Sequence, residues 1–193
     1  PSDRQAILLK QVKDAVAKAR PDLRLEMIAY SSYVTPPEHQ SIDPSILVDF
    51  CPISQQFDRQ IDDPASKRNA EYAADLQAWR KKFAGDISIY SYYRKYAWDS
   101  LPLVIPHYIQ HDLKWYHTLP TQGVSTYSEP GDWFTYELNH YCLAALAWNP
   151  DCDIDATIRK FATARYGPAA ADTAIRAYAA LEDVVRTTCT VPN

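Results

Sequence analysis

Short apolar runs rich in β-branched and aromatic residues alternate along this chain with longer segments whose apolar residues recur at helical spacing. The short runs predict four β-strands, at residues 23–30, 46–51, 86–92 and 123–129. Strand-like and helix-like segments that alternate in this way are typical of a parallel sheet with crossover helices. The alternation therefore predicts an α/β fold.

The helical segments have recognisable ends. The first stops before Pro21, and the second begins where Asp63 and Pro64 resemble an N-cap and a first helical position. We predict helices at 3–20, from Pro64 to the residue before Gly85, and at 101–119, 132–148, 154–166 and 169–189. This order divides the chain into a β/α region at 1–150 and a C-terminal helical hairpin at 151–193 that packs on it.

The two faces of the predicted strands differ in polarity. Along 86–92, Ile87 and Ile89 share one side, whereas Ser88, Tyr90 and Tyr92 share the other. A sheet covered by helices on both faces is aliphatic on both, so a polar face favours the interior wall of a barrel near its mouth. A closed (β/α)8 barrel typically has ~250 residues, whereas this chain has 193. We expect half of such a barrel, completed by a chain segment absent here or by a second copy.

Composition excludes several classes of function. The net charge of -4 and the lack of a basic run argue against a nucleic-acid partner. No segment has the roughly 20 apolar residues that span a membrane. No Gly-rich phosphate-binding motif occurs, and the cysteines lack zinc-type spacing, so we expect no cofactor and no metal. The cysteines have two alternative states in the sequence analysis: a disulfide between Cys152 and Cys189, or buried free thiols.

Two carboxylates are the candidate catalytic residues, because each lies in a predicted strand near the end where barrels of this type carry their active sites. Glu129 ends the fourth strand, and Asp49 interrupts an otherwise apolar run. Paired carboxylates beside aromatic rings are what glycoside hydrolysis requires. The alternatives are that Glu129 accepts structural hydrogen bonds or caps the next helix, and that Asp49 forms a salt bridge with Arg94 or Arg59.

Aromatic residues around the same strand ends form a candidate sugar-binding surface, because Tyr and Trp rings stack while their polar atoms form hydrogen bonds. The candidate substrate-binding residues are Tyr30, Tyr90, Tyr92, Arg94, Trp98, Asp99 and Trp133. Core packing is the alternative for some of the rings. His107 and His111 are expected to be solvated or hydrogen-bonded helix histidines, since Tyr108 stands where a zinc-protease motif needs glutamate.

Several spaced motifs resemble one known family. The segments MIAYSSYVTPP, ILVDFCPISQQFDRQIDDP, IYSYYRKYAW and ELNHYCLAALAWNPDCDIDATIRKFATARYGPAA occur in this order. Together they resemble the C-terminal part of the glycoside-hydrolase-like domain of unknown function 4838, over nearly the whole chain. The resemblance implies a TIM-like barrel related in architecture to α-glucuronidases and β-hexosaminidases, in secreted or periplasmic proteins that handle polysaccharides.

The resemblance also implies where site residues lie. It places the acid/base carboxylate of the related glycosidases before Pro1, and it carries over Tyr30, the loop 90–98 and Glu129 as pocket residues. We therefore expect the C-terminal half of a (β/α)8 TIM-like barrel, a glycoside hydrolase-like domain that acts on polysaccharide-derived oligosaccharides. A non-catalytic glycan-binding module and a structural half-barrel dimer are the alternatives. Whether the isolated chain is an enzyme stays open.

Overall fold

The computed structural model describes residues 1–94, 101–128 and 133–188, and the chain divides into two compact units. The first unit consists of Pro1–Ile53, Glu71–Ser91 and Leu119–Ser125. The second consists of Ser54–Ala70, Tyr92–Thr118 and the chain from Thr126 onward. The boundary predicted between residues 150 and 151 stays a prediction.

Four parallel strands form one sheet in sequence order: β1 (Glu26–Tyr30), β2 (Leu47–Cys51), β3 (Ile87–Ser91) and β4 (Val124–Thr126). In the register of β1 with β2, Ile28 stands opposite Asp49, which in turn stands opposite Ser88 of β3. The N–H of Ile89 donates to the C=O of Gly123 (3.0 Å) and so joins β3 to the start of β4. The order leaves β1 and β4 at the two edges of the sheet.

The described residues form six α-helices and a 3₁₀ turn at Ser31–Tyr33. The helices are α1 (Ser2–Ala19), α2 (Lys67–Lys82), α3 (Pro106–Thr118), α4 (Trp133–Trp148), α5 (Ile154–Tyr166) and α6 (Pro168–Thr188). Four parallel strands with flanking helices and a helical C-terminus fit half of an α/β barrel, so the predicted fold class is confirmed. In the described part of the chain, the helices are too short or too polar to cross a membrane.

One face of the sheet is apolar and buried. The side chains of Val48, Phe50, Ile87 and Ile89 lie on this face and are inaccessible to solvent. Helix α2 packs here, and its Tyr72 ring meets the Phe50 ring edge to face, with centroids 6.2 Å apart. Each such side chain contributes about 1.5–3 kcal/mol when it leaves water. The apolar face is therefore the core of the first unit.

The predicted start of α2 at Pro64 is wrong, because the helix begins at Lys67. Asp63 closes a turn instead, with its carboxylate accepting a hydrogen bond from the N–H of Ala65 (2.8 Å). The Ser66 hydroxyl accepts from the N–H of Asn69 (3.2 Å) and caps the helix. An Asp-Pro pair favours a turn as well as a helix start, and local sequence does not separate the two.

The predicted start of α3 is also wrong, since the residues before Pro106 lie outside the helix. The buried Asn139 of α4 holds this segment: its amide donates to the C=O of Leu103 (2.7 Å) and accepts from the N–H of Ile105 (3.0 Å). These bonds replace helical ones, and Pro106 takes the first helical position, where no backbone donor is needed. Strand β4 is shorter than predicted and ends at Thr126.

The last two helices form an antiparallel pair whose ends match the prediction to within one residue. The Asp153 carboxylate caps α5 by accepting from the N–H of Ala156 (3.0 Å). Gly167, with φ of 80°, connects α5 to α6 in a conformation that residues with a Cβ rarely adopt. A capping aspartate and a glycine between helices are strong local signals, which is why these boundaries are predictable.

Candidate functional site

The other face of the sheet is polar, and a carboxylate lies at its centre. Asp49 stands in the middle of β2 and is 6% exposed. Ser88, opposite it on β3, donates its hydroxyl hydrogen to Asp49 Oδ1 at 2.6 Å. The partner of Asp49 is thus Ser88, whereas Arg59, one of the predicted partners, pairs with Asp63 at 3.1 Å.

A second carboxylate, Glu26 of β1, lies beside Asp49 and was not singled out from the sequence. Burial raises the pKa of Asp49, the Ser88 hydrogen bond lowers it, and the charge and hydrogen bonding of Glu26 raise it again. Two adjacent carboxylates resist losing both protons, because their negative charges repel. Asp49 therefore holds its proton to higher pH than a solvated aspartate does. Strand alternation places Glu26 on the same face as Tyr30, but only the pairing of β1 with β2 brings it beside Asp49.

Two tyrosines and a thiol share this polar face. Tyr30 stands opposite Cys51 in the register, and Tyr90 follows Ser88 by two residues on β3. Burial raises the pKa of Tyr90, and so do its neighbours Cys51 and Asp49. Burial and the charge of Asp49 raise the pKa of the Cys51 thiol to about 12, so this thiol stays protonated at neutral pH and is a poor nucleophile. The face thus offers carboxylates and phenol hydroxyls rather than a thiolate.

Two further candidates, Tyr92 and Arg94, lie in the second unit. The Tyr92 ring stacks on the ring of Tyr127, with centroids 6.5 Å apart and planes at 22°. The Arg94 side chain is buried, and its guanidinium carbon lies 5.4 Å from the centre of the Tyr136 ring. A guanidinium in this position is stabilised by the quadrupole of the ring.

Trp133, at the start of α4, is the most exposed of the candidates that lie in the described part of the chain. The indole is 52% exposed. Its ring lies flat against the ring of His140, with centroids 4.7 Å apart and planes at 2°. One indole face is therefore held by the protein, and the exposed remainder forms a rigid apolar platform of the kind that sugar rings stack on.

One family model matches residues 2–180 of the chain, and its description is Domain of unknown function (DUF4838). The chain belongs to the DUF4838 family. The family predicted from the sequence motifs is thus confirmed, and the relation to glycoside hydrolases stays a prediction. No curated protein and no solved structure matches the DUF4838 chain.

Three predicted site residues of the DUF4838 chain, Glu129, Trp98 and Asp99, lie outside the described residues. The catalytic role of Glu129 and the substrate-binding role of the other two stay predictions. Cys189 also lies outside this part, and Cys51, Cys142 and Cys152 are free thiols.

The sequence patterns did not single out a second buried carboxylate in the DUF4838 chain. Asp112 of α3 is buried and accepts hydrogen bonds from Gln55 Nε2 (2.6 Å) and the N–H of Ile61 (3.1 Å). The Tyr93 hydroxyl lies 3.5 Å from Asp112 Oδ2. Burial raises the pKa of Asp112 to about 7, and the bonds from Gln55 and Ile61 oppose the rise. The sequence feature that could have identified Asp112 is its position between the apolar residues Ile109 and Leu113 on one face of the helix.

His107 and His111 of the DUF4838 chain are hydrogen-bonded, which is one of the two states predicted for them. The Nδ1 atom of His107 lies 2.6 Å from Glu182 Oε2, and Nε2 of His111 lies 2.7 Å from Asp62 Oδ1. The bond to Glu182 raises the pKa of His107 to about 8. The residues that the structure describes contain no group of His, Cys, Asp and Glu able to hold a metal ion.

Proposed function

We propose that this chain is part of a glycoside hydrolase-like domain that acts on oligosaccharides derived from polysaccharides. The observation that carries the proposal is the polar strand face, where Asp49, Glu26 and the Tyr90 hydroxyl lie on neighbouring strands. Carboxylates and phenol hydroxyls form hydrogen bonds to sugar hydroxyls, and glycoside hydrolysis needs a carboxylic acid beside the leaving oxygen.

In this proposal, Asp49 supplies the proton. Burial and the Glu26 charge raise its pKa, so that it remains protonated at higher pH than an exposed aspartate. Ser88 fixes the position of Oδ1 through the 2.6 Å hydrogen bond. Transfer of the proton to the glycosidic oxygen breaks its bond to the anomeric carbon, releases the leaving sugar as an alcohol and leaves Asp49 ionised. The oxygen of a water molecule then bonds to the anomeric carbon, and the proton that this water loses restores the acid.

In this proposal Asp49 is the acid, and the charge and hydrogen bonding of Glu26 raise the pKa of Asp49. In retaining enzymes the two catalytic carboxyl groups are ~5–5.5 Å apart, and in inverting ones ~6.5–9.5 Å apart. Because Glu26 supports the acid, the nucleophile or general base is a separate carboxylate. The sequence candidate for that role is Glu129.

The experiment is an oligosaccharide-cleavage screen with mass-spectrometric detection. The panel contains uronic-acid and N-acetylhexosamine oligosaccharides, and the chain is compared with its Asp49→Asn, Glu26→Gln and Glu129→Gln variants. Asp14→Asn is the matched control, because Asp14 is an exposed helix residue paired with Lys10. The proposal is supported if the Asp14→Asn variant still cleaves an oligosaccharide and the Asp49→Asn and Glu129→Gln variants do not. Cleavage that all variants retain contradicts it, and absence of cleavage by every protein contradicts an active site made of these residues alone.

A non-catalytic glycan-binding module is a second candidate function, and the exposed Trp133 platform favours it. A sugar ring that stacks on an indole needs no carboxylate pair. The affinity for the oligosaccharide therefore depends on Trp133 and not on Asp49. Calorimetric titration with the same oligosaccharides separates the two functions. Binding lost in Trp133→Ala and kept in Asp49→Asn, without cleavage, indicates a binding module.

The partner is an oligosaccharide or polysaccharide, and the location that we propose is secreted or periplasmic. Both parts of this proposal rest on the sequence resemblance described above. Fractionation of the source cells, with detection by antibody, tests the location: recovery with cytoplasmic markers contradicts it.

A further inference from the structure

The imidazole of His107 connects three helices of the second unit. His107 lies in the first turn of α3. Its Nδ1 atom lies 2.6 Å from Oε2 of Glu182 on α6, and its Nε2 atom lies 3.3 Å from Oδ1 of Asp155 on α5. The backbone N–H of His107 also donates to the other carboxylate oxygen of Glu182, at 3.0 Å. One residue of α3 thus holds a carboxylate from each helix of the C-terminal pair.

These contacts require a protonated ring. An ionised carboxylate only accepts hydrogen bonds, and a neutral imidazole carries one N–H. Both ring nitrogens of His107 therefore donate to a carboxylate at the same time only when both carry hydrogen. The hydrogen bond to Glu182 raises the pKa of His107 to about 8, against the lowering effect of burial, and the charges of Glu182 and Asp155 add to the rise. The folded chain thus keeps the proton on this ring at neutral pH.

A cleft of about 470 Å³ lies beside the imidazole, between α3, α5 and α6. The titratable side chains of α5 and α6 that line it are Asp153, Asp155, Arg159, Tyr178 and Glu182. Asp153 caps α5, and the Tyr178 hydroxyl is hydrogen-bonded to another tyrosine. Arg159 pairs with Asp172, and Arg186, one turn after Glu182 on α6, pairs with Asp183. The imidazolium is thus the cation that Asp155 and Glu182 share, whereas the two arginines are engaged with other carboxylates.

The contact with Asp155 is the weaker of the two. The Asp155 side chain is 84% exposed and that of Glu182 is 13% exposed. When the ring loses a proton, the remaining N–H donates to Glu182, and Nε2 faces the Asp155 carboxylate with a lone pair. Helix α5 packs along α6 and less extensively on α3. Gln110 of α3 donates to the C=O of Cys152 (2.8 Å) and holds the residues before α5 at any pH. The proton therefore acts on the first turn of α5.

We propose that the proton on His107 controls the attachment of the first turn of α5 to α3: the imidazolium holds Asp155, and loss of the proton releases it. The folded-state pKa lies above the ordinary value of 6.5. The attachment is therefore complete below that value and is lost as pH rises through about 8. Because the His107 side chain is 48% exposed, solvent screening limits the size of the effect. This pH dependence is independent of the proposed glycan activity.

Hydrogen exchange of the full chain at about pH 6.5 and about pH 9, analysed by peptide mass spectrometry, measures the release. Labelling times are scaled for the pH dependence of the intrinsic exchange rate. The protection of residues 154–160, in the first half of α5, should fall about three- to tenfold at the higher pH, whereas that of α2 in the first unit should not change. Equal protection of residues 154–160 at the two pH values overturns the proposal.

Two variants test whether His107 is the group that titrates. His107→Gln cannot take up the proton, so residues 154–160 should exchange at both pH values as the wild type does at the higher one. Asp155→Asn places an amide against Nε2. Its oxygen accepts from a protonated nitrogen and its nitrogen donates to an unprotonated one, so protection should be the same at both pH values.

His111→Gln is the matched control, because His111 lies on the same helix and contacts Asp62 instead (2.7 Å). It should keep the pH dependence of the wild type. Far-UV circular dichroism checks that each variant is folded. A pH dependence that His107→Gln or Asp155→Asn retains, or that His111→Gln removes, contradicts the proposal.

Discussion

Two buried carboxylates, Asp49 on the sheet and Asp112 on α3, differ in how many of their acceptor atoms receive hydrogen bonds from the protein. Asp112 receives hydrogen bonds from a side chain and a backbone N–H of the segment that follows β2, and the Tyr93 hydroxyl lies nearby. Asp49 receives a hydrogen bond from Ser88 and has a second acid, Glu26, beside it.

This difference distinguishes a carboxylate that stabilises the fold from one that is able to interact with a ligand. The bonds to Asp112 join α3 to the segment at residues 55–61, so its acceptor atoms are used in holding the second unit together. Asp49 shares its strand face with the half-exposed Ile28 and the half-buried Tyr90. A buried acid with few donors keeps acceptor capacity for a ligand, whereas a fully bonded one does not.

Removal of the Asp112 carboxylate has the largest expected effect. Asp112→Ala leaves the buried Gln55 amide and Ile61 N–H without their acceptor, which costs about 3 kcal/mol of unfolding free energy. Urea unfolding measures the loss. Asp14→Ala, which removes an exposed carboxylate on α1, serves as the control and changes stability by less than about 0.5 kcal/mol. Equal losses in the two variants contradict a structural role for Asp112.

The stability contributed by Asp112 depends on pH, and the sign follows from its raised pKa. The folded-state pKa is about 7 and the ordinary value is 3.8, so between these values the unfolded chain has lost a proton that the folded chain retains. Stability therefore falls as pH rises from about 4 to 7, by at most ~1.4 kcal/mol per pH unit from this group.

Urea unfolding at several pH values, with Asp112→Asn as the comparison, isolates this dependence. The variant cannot ionise at this position, so the difference in stability between wild type and variant shifts in favour of the variant as pH rises. A difference that is constant from pH 4 to 8 shows that burial does not raise the pKa of Asp112.

Substitution of Asp49 sharpens the contrast. Asp49→Asn keeps an oxygen that accepts the Ser88 hydrogen bond and removes the buried charge next to Glu26, so we expect stability within about 1 kcal/mol of wild type. Urea unfolding at pH 7 measures it. If Asp49→Asn loses as much stability as Asp112→Ala, the distinction between the two carboxylates fails.

The Ser88 hydrogen bond has the smallest expected effect. It lowers the pKa of Asp49, so Ser88→Ala raises that pKa further while stability changes by only about 1 kcal/mol. Carbon-detected NMR titration of the Asp49 carboxyl measures the shift. Ser88→Thr, which keeps the hydroxyl, should titrate as wild type does. A shift to lower pH in Ser88→Ala contradicts the geometry at this site.

The fold was predictable where local signals and periodicity agree. Alternating runs predicted the four strands, and the last two helices were predicted on either side of Gly167, because such signals act over a few residues. The start of α3 was not predictable, because the Asn139 side chain from a different helix holds residues 103–105 out of it.

The candidate site was predictable in part. Strand alternation placed Asp49, Ser88 and Tyr90 on one face, as the structure does. Glu26 was not singled out, because its neighbour Asp49 is 23 positions away and only the β1–β2 register brings them together. Asp112 was missed for a related reason, since a polar residue on a helix is ordinarily solvated unless a distant segment covers it.

The sequence by itself determined the parallel α/β order, the polar and apolar strand faces and the DUF4838 family, because each depends on residue type and spacing along the chain. The tertiary structure decided which carboxylates are buried, which donors reach them and which strands pair with each other. The physical reason is that burial and hydrogen bonding depend on segments that are far apart in sequence, and these become neighbours only when strands pair and helices pack.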